Sequence, residues 1–367
     1  MRFVICASMK ASAIAAHMAA LAGEFTRRGH EAAIVSWGED DGAPACGAEP
    51  RVTLRHFPSP RPTGLKDILF LRRFLAGFQA DCVIAHFGAV NAAMAAGVLA
   101  GVPCRVAWYH TLSGQLALDS RLPAWKRGLL GWRKSLVYRL ATQFVANSSC
   151  AAGDLAAHFQ APREKIRVLP YALRDPMAAP PAAEGPAEPH VVCAGRLHPS
   201  KGQDVLLKAA AKLRARFPRL RVTLAGGGPQ QKHLLGLARE LGLSGCAGFA
   251  GAVSRDEVLR LMASAAVTAV PSRDEAFGLV NVESLAVGTP VVASRVGGIP
   301  EIIRDGREGF LVPPEDPDAL AAALGRVLEN PALRREMSAN ARARFLSHYE
   351  LNAACSRQAA WFEEIAS

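Results

Sequence analysis

The sequence predicts an α/β protein of two domains, each a doubly wound parallel sheet with helices on both faces. Short β-branched runs alternate with longer Ala/Leu-rich runs along most of the chain, which is the order typical of a parallel sheet. Runs such as residues 3–5 and 291–292 are apolar at every position, as strands buried on both faces require. The alternation stops once and then restarts, which indicates two such sheets.

The first predicted strand covers residues 2–7, and the helix after it, residues 11–28, ends at Gly29, a residue type that commonly closes helices. The same change of composition justifies each later element. In the first half, further strands are predicted at residues 32–36, 82–85, 105–109, 143–146 and 166–169. In the second half, strands are predicted at residues 190–194, 220–225, 266–270 and 290–293, and helices at 202–216, 229–241 and 351–365.

Residues 176–189 separate the two halves. Their sequence, PMAAPPAAEGPAEP, is rich in Pro and Ala. Its apolar residues do not recur at the spacing of a helix or a strand, which is typical of a linker. We therefore expect an N-terminal domain over residues 1–175 and a C-terminal domain over residues 190–345. The last stretch, residues 346–367, is expected to pack back on the N-terminal domain.

The composition excludes several classes of protein. Hydrophobic residues make up 50% and charged residues 20%, which is typical of a globular chain rather than a disordered one. A transmembrane helix needs about 18 consecutive apolar residues, and no apolar run in this sequence is that long. The N-terminal apolar run is too short for a signal peptide, so we expect a cytoplasmic protein. The eight cysteines include no C-x-x-C pair, which argues against a zinc site or a redox pair.

The net charge of +11 is distributed unevenly along the chain. Residues 1–185 hold 21 basic and 13 acidic side chains, a balance of +8, whereas residues 186–367 hold 22 and 19, a balance of +3. An anionic partner is therefore expected on the N-terminal half. No nucleic-acid-binding motif accompanies this charge, so a nucleic acid partner is not expected.

The segment GRLHPSKG, residues 195–202, follows a predicted strand and opens a helix. It matches neither a Walker A loop nor a G-x-G-x-x-G dinucleotide loop. It does place Arg196 and Lys201 near a helix N-terminus, where backbone N–H groups and two cations together can bind phosphate. The alternative is an ordinary connecting loop with two solvated cations.

The segment EAFGLVNVE, residues 275–283, also follows a predicted strand. The amides of Phe277, Gly278 and Leu279 would form an anion-binding turn at the start of a helix. Glu283 lies about one turn inside that helix, where its carboxylate can accept hydrogen bonds from the two hydroxyls of a ribose. The helix dipole alone would explain one of the two glutamates, but not the Phe-Gly-Leu between them.

Taken together, the two segments resemble the signatures of the GT-B retaining glycosyltransferases of the glycosyltransferase 4 family (glycosyl transferases group 1), and the second is similar to the E-x7-E motif of that family. The resemblance continues through AVGTPVVASRVGGIPE at residues 286–301, GFLVPP at 309–314 and IRVLPY at 166–171. It covers nearly the whole chain and is strongest over residues 190–315. It implies two Rossmann-like domains that face each other across a cleft.

The resemblance also implies roles for the matching positions. Arg196 and Lys201 would bind the donor diphosphate, and Glu275 and the amides of residues 277–279 would face the donor sugar and phosphates. Glu283 would hold the ribose, and the glycine run 226–228 would flank the nucleoside. The implied donor-binding residues are Gly195, Arg196, Lys201, Gly226, Gly227, Phe277, Gly278, Leu279 and Glu283.

Enzymes of this family retain the anomeric configuration, need no metal, and use the nucleotide-diphosphate sugar as a co-substrate, so no cofactor is expected. The implied mechanism is a front-face substitution in which the leaving phosphate acts as the base toward the acceptor hydroxyl. Two cations and oriented amides would stabilise the departing diphosphate. The implied catalytic residues are His110, Glu275, Arg196 and Lys201.

One acidic triplet has a second interpretation. Asp316-Pro317-Asp318 matches the metal-binding D-x-D of the other large glycosyltransferase fold. We predict a helix start instead, with Pro317 at the first helical position.

Three histidines follow predicted strands or helices. His110, in the run WYHT, resembles a family histidine that reaches the donor sugar, and a structural role at a strand end is the alternative. His86, in AHFG, is expected to line the acceptor site, whereas His30 is expected to be structural. The loop after the first strand, ASMKASA, lacks the glycine pair that the family often has, so side chains would replace backbone contacts there. The acceptor-side candidates are Met9, Lys10, Ser12 and His86.

Residues 121–139, RLPAWKRGLLGWRKSLVYR, hold six cations and no acidic residue, interleaved with Trp and Leu. A basic helix with tryptophans is typical of an interfacial anchor on anionic lipid. The alternative is a core helix with a solvated basic face. The candidate membrane face comprises Lys126, Arg127, Trp132, Arg133 and Lys134.

The resemblance therefore implies a retaining, metal-independent hexosyltransferase, and we expect a UDP-sugar rather than a GDP-sugar as donor. Its acceptor would be a lipid-linked or other glycan at the inner membrane face, in polysaccharide or glycolipid assembly. A soluble small-molecule acceptor and a nucleotide-sugar epimerase of the same fold are alternatives. A glycosyltransferase-like binding subunit without catalysis is a third, but it predicts eroded donor motifs, whereas Arg196, Lys201, Glu275 and Glu283 are all present.

Overall fold

The computed structural model describes residues 1–10, 12–37, 51–114, 124–176 and 188–367, apart from the side chains of residues 124, 126, 127 and 130. The described residues form two compact units. Unit 1 comprises Met1–Ser113, the described part of Ser120–Arg174, and Tyr349–Ser367, whereas unit 2 comprises Gly114 and the described part of Asp175–His348. Each unit is a parallel sheet flanked by helices, which confirms the predicted fold class. Most of the predicted linker, residues 177–187, lies outside the described residues.

Within its described residues, unit 1 contains a seven-stranded parallel sheet. In chain order the strands are β1 (Arg2–Cys6), β2 (Glu31–Ser36), β3 (Val52–His56), β4 (Cys82–His86), β5 (Cys104–Tyr109), β6 (Gln143–Ala146) and β7 (Ile166–Val168). Their order in the sheet is β3-β2-β1-β4-β5-β6-β7, so the direction of winding reverses between β1 and β4. In open parallel sheets, ligands bind beyond the carboxyl ends of the strands at such a reversal.

The helices of unit 1 cover both faces of this sheet, as the apolar central strands require. The described helices before the second unit are α1 (Ala13–Arg27), α2 (Leu65–Phe78), α3 (Val90–Leu99), α4 (Ala124–Tyr138) and α5 (Ser149–Phe159). Helix α1 begins later than predicted because the Ser12 side chain caps it, with Ser12 Oγ accepting from the Ala15 amide at 3.1 Å.

Unit 2 repeats the same architecture. Its described strands are β8 (His190–Ala194), β9 (Arg221–Ala225), β10 (Ala247–Gly251), β11 (Val267–Val270), β12 (Val291–Ser294) and β13 (Gly309–Val312), in the sheet order β10-β9-β8-β11-β12-β13. Its described helices are α6 (Gln203–Leu213), α7 (Gln231–Glu240), α8 (Arg255–Ala263), α9 (Leu279–Ala286), α10 (Ile299–Ile302), α11 (Pro317–Glu329) and α12 (Pro331–His348). The winding reverses between β8 and β11, so the loops after these two strands share the ligand-binding edge of the sheet.

Sequence reasoning missed strands β3, β10 and β13, which all lie at sheet edges. β3 and β10 are partly exposed along their length, so they lack the continuous apolar run that marks a central strand. β10 also contains two glycines, which have a low strand propensity. β13 has four residues and is followed by a proline pair, so it resembles a loop in sequence.

The acidic triplet begins a helix, as predicted. The carboxylate of Asp316 accepts from the amides of Asp318 and Ala319 at 3.0 and 2.9 Å, and Pro317 is the first residue of α11. Asp318 is exposed and pairs with Lys212 at 2.8 Å. Both carboxylates are therefore engaged in ordinary capping and surface pairing.

The last helix, α13 (Leu351–Ala366), packs in unit 1 against α1. The rings of Phe362 and Phe25 meet edge to face with their centroids 5.9 Å apart. Gln358 donates from Nε2 to the carbonyl of Pro170 at 3.0 Å, and its Oε1 lies 2.8 Å from Nε2 of His17. Buried aromatic and polar contacts together hold α13 against α1 and the segment after β7.

We expect Phe362→Ala to destabilise unit 1, because the ring has no exposed surface and its removal leaves a cavity. Comparable deletions cost about 3–5 kcal/mol. The measurement is differential scanning calorimetry, because the two units can unfold in separate transitions and the stability of unit 1 can then be followed by itself. Leu346→Ala, on the exposed side of α12, is the control and should change stability by less than about 0.5 kcal/mol. Equal effects of the two substitutions would show that α13 is not integral to unit 1.

Candidate functional site

The first loop at the ligand-binding edge of unit 2 follows β8. A short 3-10 turn, Pro199–Lys201, leads into α6, and Gly202 forms the N-cap with a φ of 65°. A Cβ at Gly202 would lie 2.0 Å from the carbonyl oxygen of Pro271, which belongs to the loop after β11. Only glycine allows the two backbones to approach this closely.

The second loop follows β11 and ends at α9, whose N-cap is Gly278. The Phe277 side chain is buried, so its ring lies in the core and only its backbone can face a ligand. Within the part of the chain that the structure describes, the amides of Gly278 and Leu279 donate to no protein acceptor. These amides lie at the first turn of α9, where the helix dipole favours an anion.

An ion pair joins the two loops. The Lys201 ammonium donates to the Glu275 carboxylate at 2.5 Å, and both side chains are mostly buried. They line one small pocket together with Gly195 and Val280. The family resemblance implied that Lys201 binds the donor diphosphate and that Glu275 faces the donor sugar and phosphates, and the structure adds that the two side chains contact each other directly.

The other cation of the first loop, Arg196, has an exposed side chain. Among the described residues its guanidinium has no ion-pair partner, whereas its carbonyl accepts from Gln203 Nε2 at 3.0 Å. The backbone of Arg196 is therefore fixed while its guanidinium is available to an anion. Gly226 packs beside this loop, because a Cβ there would lie 2.0 Å from the Gly195 carbonyl oxygen. The amide of Leu197 donates to the Gly227 carbonyl at 2.9 Å, so the glycine run has a structural role in shaping the loop.

Sequence reasoning missed Arg273, which connects the two loops more extensively than any predicted residue. Its amide donates to the Ser200 carbonyl at 2.8 Å, and its Nη1 donates to the Pro199 carbonyl at 2.6 Å. Its guanidinium binds both carboxylate oxygens of Asp204 at 2.9 and 2.8 Å, and Nε donates to Glu315 at 2.8 Å. Although burial alone would raise the pKa of the Asp204 carboxyl, Arg273 holds that pKa below its usual value.

Glu283 lies on α9 with its side chain mostly buried. Arg255, at the start of α8, donates from Nε to Glu283 Oε1 at 3.0 Å. Burial raises the pKa of the Glu283 carboxyl, and the positive charge of Arg255 opposes this rise. Arg255 Nη2 is also buried and has no hydrogen-bond partner among the described residues. No local pattern in the sequence pairs these two residues, which are 28 positions apart.

In unit 1, His110 follows β5 and belongs to a stack of rings. Its Nδ1 contacts the Tyr171 hydroxyl, and its Nε2 lies 3.2 Å from Nδ1 of His86. The ring of Phe87 stacks on it with the centroids 3.9 Å apart. Both nitrogens of His110 are therefore engaged within unit 1, so its imidazole could bind a sugar only by exchanging one of these partners.

Two acceptor-side expectations need correction. His86 is 0% exposed, and its ring packs against Trp108, so it lies in the core and lines no open surface of unit 1. Met9 is also buried. Lys10 is exposed at the carboxyl end of β1, and Ser12 is exposed while it caps α1. The loop after β1 therefore offers these two polar residues to a ligand.

The candidate membrane face falls on α4, where Trp132 and Arg133 are exposed. Lys134 points the other way and packs on aromatic rings, which corrects its place in that face. The side chains of Lys126 and Arg127, and residues 121–123 of the basic segment, lie outside the described part of the chain. No described helix is both long and apolar enough to cross a bilayer.

We expect unit 1 to lose stability as the pH falls from about 6.5 towards 4. Burial lowers the pKa of His17 to about 4 and of His86 to about 3, and it lowers that of His110 as well. The unfolded chain then binds more protons than the folded one, so acid favours unfolding. Between about pH 6.5 and pH 5, His17 and His86 should each lower the free energy of unfolding by about 2 kcal/mol.

The measurement is the denaturation midpoint of unit 1 at several pH values in His17→Gln and in the wild type. The His17→Gln protein should show a shallower pH dependence, whatever its absolute stability. His158→Gln, which removes a mostly exposed ring, is the matched control and should follow the wild type. A pH dependence that is the same in all three proteins would contradict the assignment.

Comparison with family models matches both units. A model described as "Glycosyl transferases group 1" matches residues 180–344. A model described as "Glycosyl transferase 4-like domain" matches residues 12–172. The two matches together cover most of the chain.

Among curated relatives, an MMP alpha-(1->4)-mannosyltransferase of Mycolicibacterium hassiacum is 30% identical over 330 residues, which is 84% of this chain and 76% of the relative. A D-inositol 3-phosphate glycosyltransferase of a Nocardioides species is 40% identical over 228 residues, which is 56% of this chain and 50% of the relative. The chain thus spans about half the length of this and similar D-inositol 3-phosphate glycosyltransferases that it matches.

Solved structures show the same fold. Sucrose-phosphate synthase from Thermosynechococcus elongatus superposes with a TM-score of 0.81 at 21% identity and covers 100% of this chain and 99% of that one. HepE from Anabaena, solved in complex with UDP and glucose, superposes with a TM-score of 0.78 at 22% identity and covers 99% of both chains. At these identities the likeness concerns the fold.

Proposed function

Because the chain belongs to the GT-B glycosyltransferases of the family 4 type, we propose that it transfers a hexosyl unit from a nucleotide-diphosphate sugar to an acceptor hydroxyl. The observation that carries this proposal is the ion pair of Lys201 and Glu275 between the loops after β8 and β11. Arg196 and the amides at the start of α9 lie in the same two loops. Cations and N–H groups at one sheet edge favour an anionic ligand of diphosphate character.

The departing diphosphate is the group that needs stabilisation. Negative charge develops on its oxygens as the bond to the sugar breaks, and fixed positive groups lower the energy of that transition state. Arg196 and Lys201 would bind these oxygens, with the amides of Gly278 and Leu279 beside them. Lys201 would turn from Glu275 to phosphate when the donor binds, which leaves the Glu275 carboxylate to accept from sugar hydroxyls.

The nucleoside end of the donor would be held by Glu283. Its carboxylate can accept from both hydroxyls of a ribose, and the contact with Arg255 keeps one oxygen oriented. Because burial favours the neutral acid, the positive charge of Arg255 also helps to keep the carboxylate ionised. The glycine run 226–228 would lie against the nucleoside.

We further propose that the donor is a UDP-sugar, that the configuration is retained, and that transfer needs no metal or other cofactor. Two cations on this chain would supply the charge that a divalent ion supplies in other transferases. Retention would follow from a front-face substitution with the leaving phosphate as base. HepE, of the same fold, was solved with UDP and glucose, which supports UDP over GDP as the starting donor to test.

The proposed acceptor is a lipid-linked or other glycan at the inner membrane face. A soluble small-molecule acceptor is the second candidate, because several relatives are named for D-inositol 3-phosphate. A binding subunit without catalysis is disfavoured, since Arg196, Lys201, Glu275 and Glu283 are all present. The first test of the family activity is sugar release and transfer from UDP-, GDP- and ADP-sugars.

Lys201→Met should lower turnover by about 10²–10³-fold, the effect of removing one preorganised donor to a developing anion. Transfer from the preferred nucleotide sugar is measured with EDTA present, because the proposal involves no metal. Lys208→Met, which removes an exposed lysine from α6, is the matched control and should keep full turnover. Wild-type turnover of Lys201→Met would contradict the assignment, and activity that requires added Mg²⁺ or Mn²⁺ would contradict metal independence.

Arg255→Gln should raise the donor KM by about tenfold, equivalent to about 1.4 kcal/mol, with a smaller change in kcat. The reason is that Arg255 positions Glu283 and does not face the reacting atoms. Arg255→Lys keeps the charge and should recover part of the loss. Arg260→Gln, on the exposed face of the same helix, should leave KM unchanged. A fall confined to kcat would place Arg255 at the reaction centre and contradict a positioning role.

A further inference from the structure

Helix α4 turns four large apolar side chains outward. Trp125, Leu129, Trp132 and Leu136 are 66%, 58%, 67% and 50% exposed. Their spacings of four, three and four residues place them on one face of the helix. The apolar stripe of a helix in a water-soluble domain normally faces the core, so this orientation needs an explanation.

The opposite face of α4 fixes this orientation. The Lys134 ammonium lies 4.6 Å from the ring centroids of Tyr109 and Phe159 and 5.4 Å from that of Tyr138. Tyr138 itself is buried. Burial lowers the pKa of Lys134 to about 8, while the negative charge of Asp154 opposes this. A cation is therefore packed inward and the tryptophans are left outward, which reverses the usual arrangement.

The charges around the stripe are of one sign. Arg133 and Arg139 are exposed on its flanks. No acidic residue occurs between Asp119 and Asp154 in the sequence. A second copy of this chain on the stripe would bring like charges together, whereas an anionic surface would be attracted.

We propose that the outward stripe of α4 binds the surface of an anionic bilayer, with the helix lying in the plane of the interface. Tryptophans and leucines would enter the boundary between headgroups and acyl chains, and the arginines would contact lipid phosphates. Helix α4 would extend along the surface for about 22 Å at 1.5 Å per residue. The inference rests on the membrane location within the proposed function, and it replaces Lys134 in the predicted face with Trp125, Leu129 and Leu136.

The test is sedimentation with vesicles of phosphatidylcholine alone and with about one third phosphatidylglycerol. Leu129→Ser combined with Leu136→Ser should weaken binding to the anionic vesicles by at least about tenfold and leave the melting temperature unchanged. Leu65→Ser combined with Leu69→Ser, on exposed positions of α2 in the same unit, is the matched control and should bind like the wild type. Brominated lipid should also quench tryptophan emission, and less so after Trp125→Phe with Trp132→Phe.

Two outcomes would overturn the inference: wild-type binding by the α4 variant, or equal loss in the α4 and α2 variants. A stripe-dependent dimer in sedimentation velocity, without vesicle binding, would assign the face to a second copy instead. Failure of the inference is separable from failure of the transferase proposal. Lys201→Met should bind vesicles normally while losing transfer, and the α4 variant should keep transfer to a soluble acceptor analogue.

Discussion

The fork of hydrogen bonds around Arg273 holds the candidate donor site together. It joins the loop after β8, the first turn of α6 and Glu315 beyond β13, and it does so from within the loop after β11. Lys201 lies in sequence between Ser200 and Asp204, which both bind Arg273, and Glu275 follows Arg273 by two residues. Arg273 therefore joins the two loops whose side chains Lys201 and Glu275 form the ion pair.

Close backbone packing adds a second constraint on the same edge. The contact of Gly202 with Pro271 leaves no space for a side chain between the two loops. Rigid loops suit a site whose task is to present charges in fixed positions, because little reorganisation is then needed as a leaving group gains charge. Glu283 is held separately through Arg255 on α8, so the carboxylate proposed to bind the ribose has a support that does not involve Arg273.

The central strands could be predicted because they are uninterrupted apolar runs. The family could be predicted because two segments at strand ends combine glycines with charges in the spacing of its motifs. The edge strands could not, since β3 and β10 are half exposed and β13 is very short. Contacts between residues that are distant in sequence could not be predicted either, since Lys201 and Glu275 are 74 positions apart. The burial of His86 was also missed, because all five residues of β4 are buried on both faces of the sheet, and a histidine after an apolar run gives no sign of packing against Trp108.

The return of the chain to unit 1 has a consequence for biosynthesis. All of unit 2 up to His348 is translated before α13, which completes the first unit. During translation, unit 1 therefore lacks α13, the helix that covers Phe25, until unit 2 has been made. The described sheet of unit 2 can form before unit 1 is complete. A nascent chain in this state exposes the apolar face of α1 that α13 covers, and such surface favours aggregation until α13 is made.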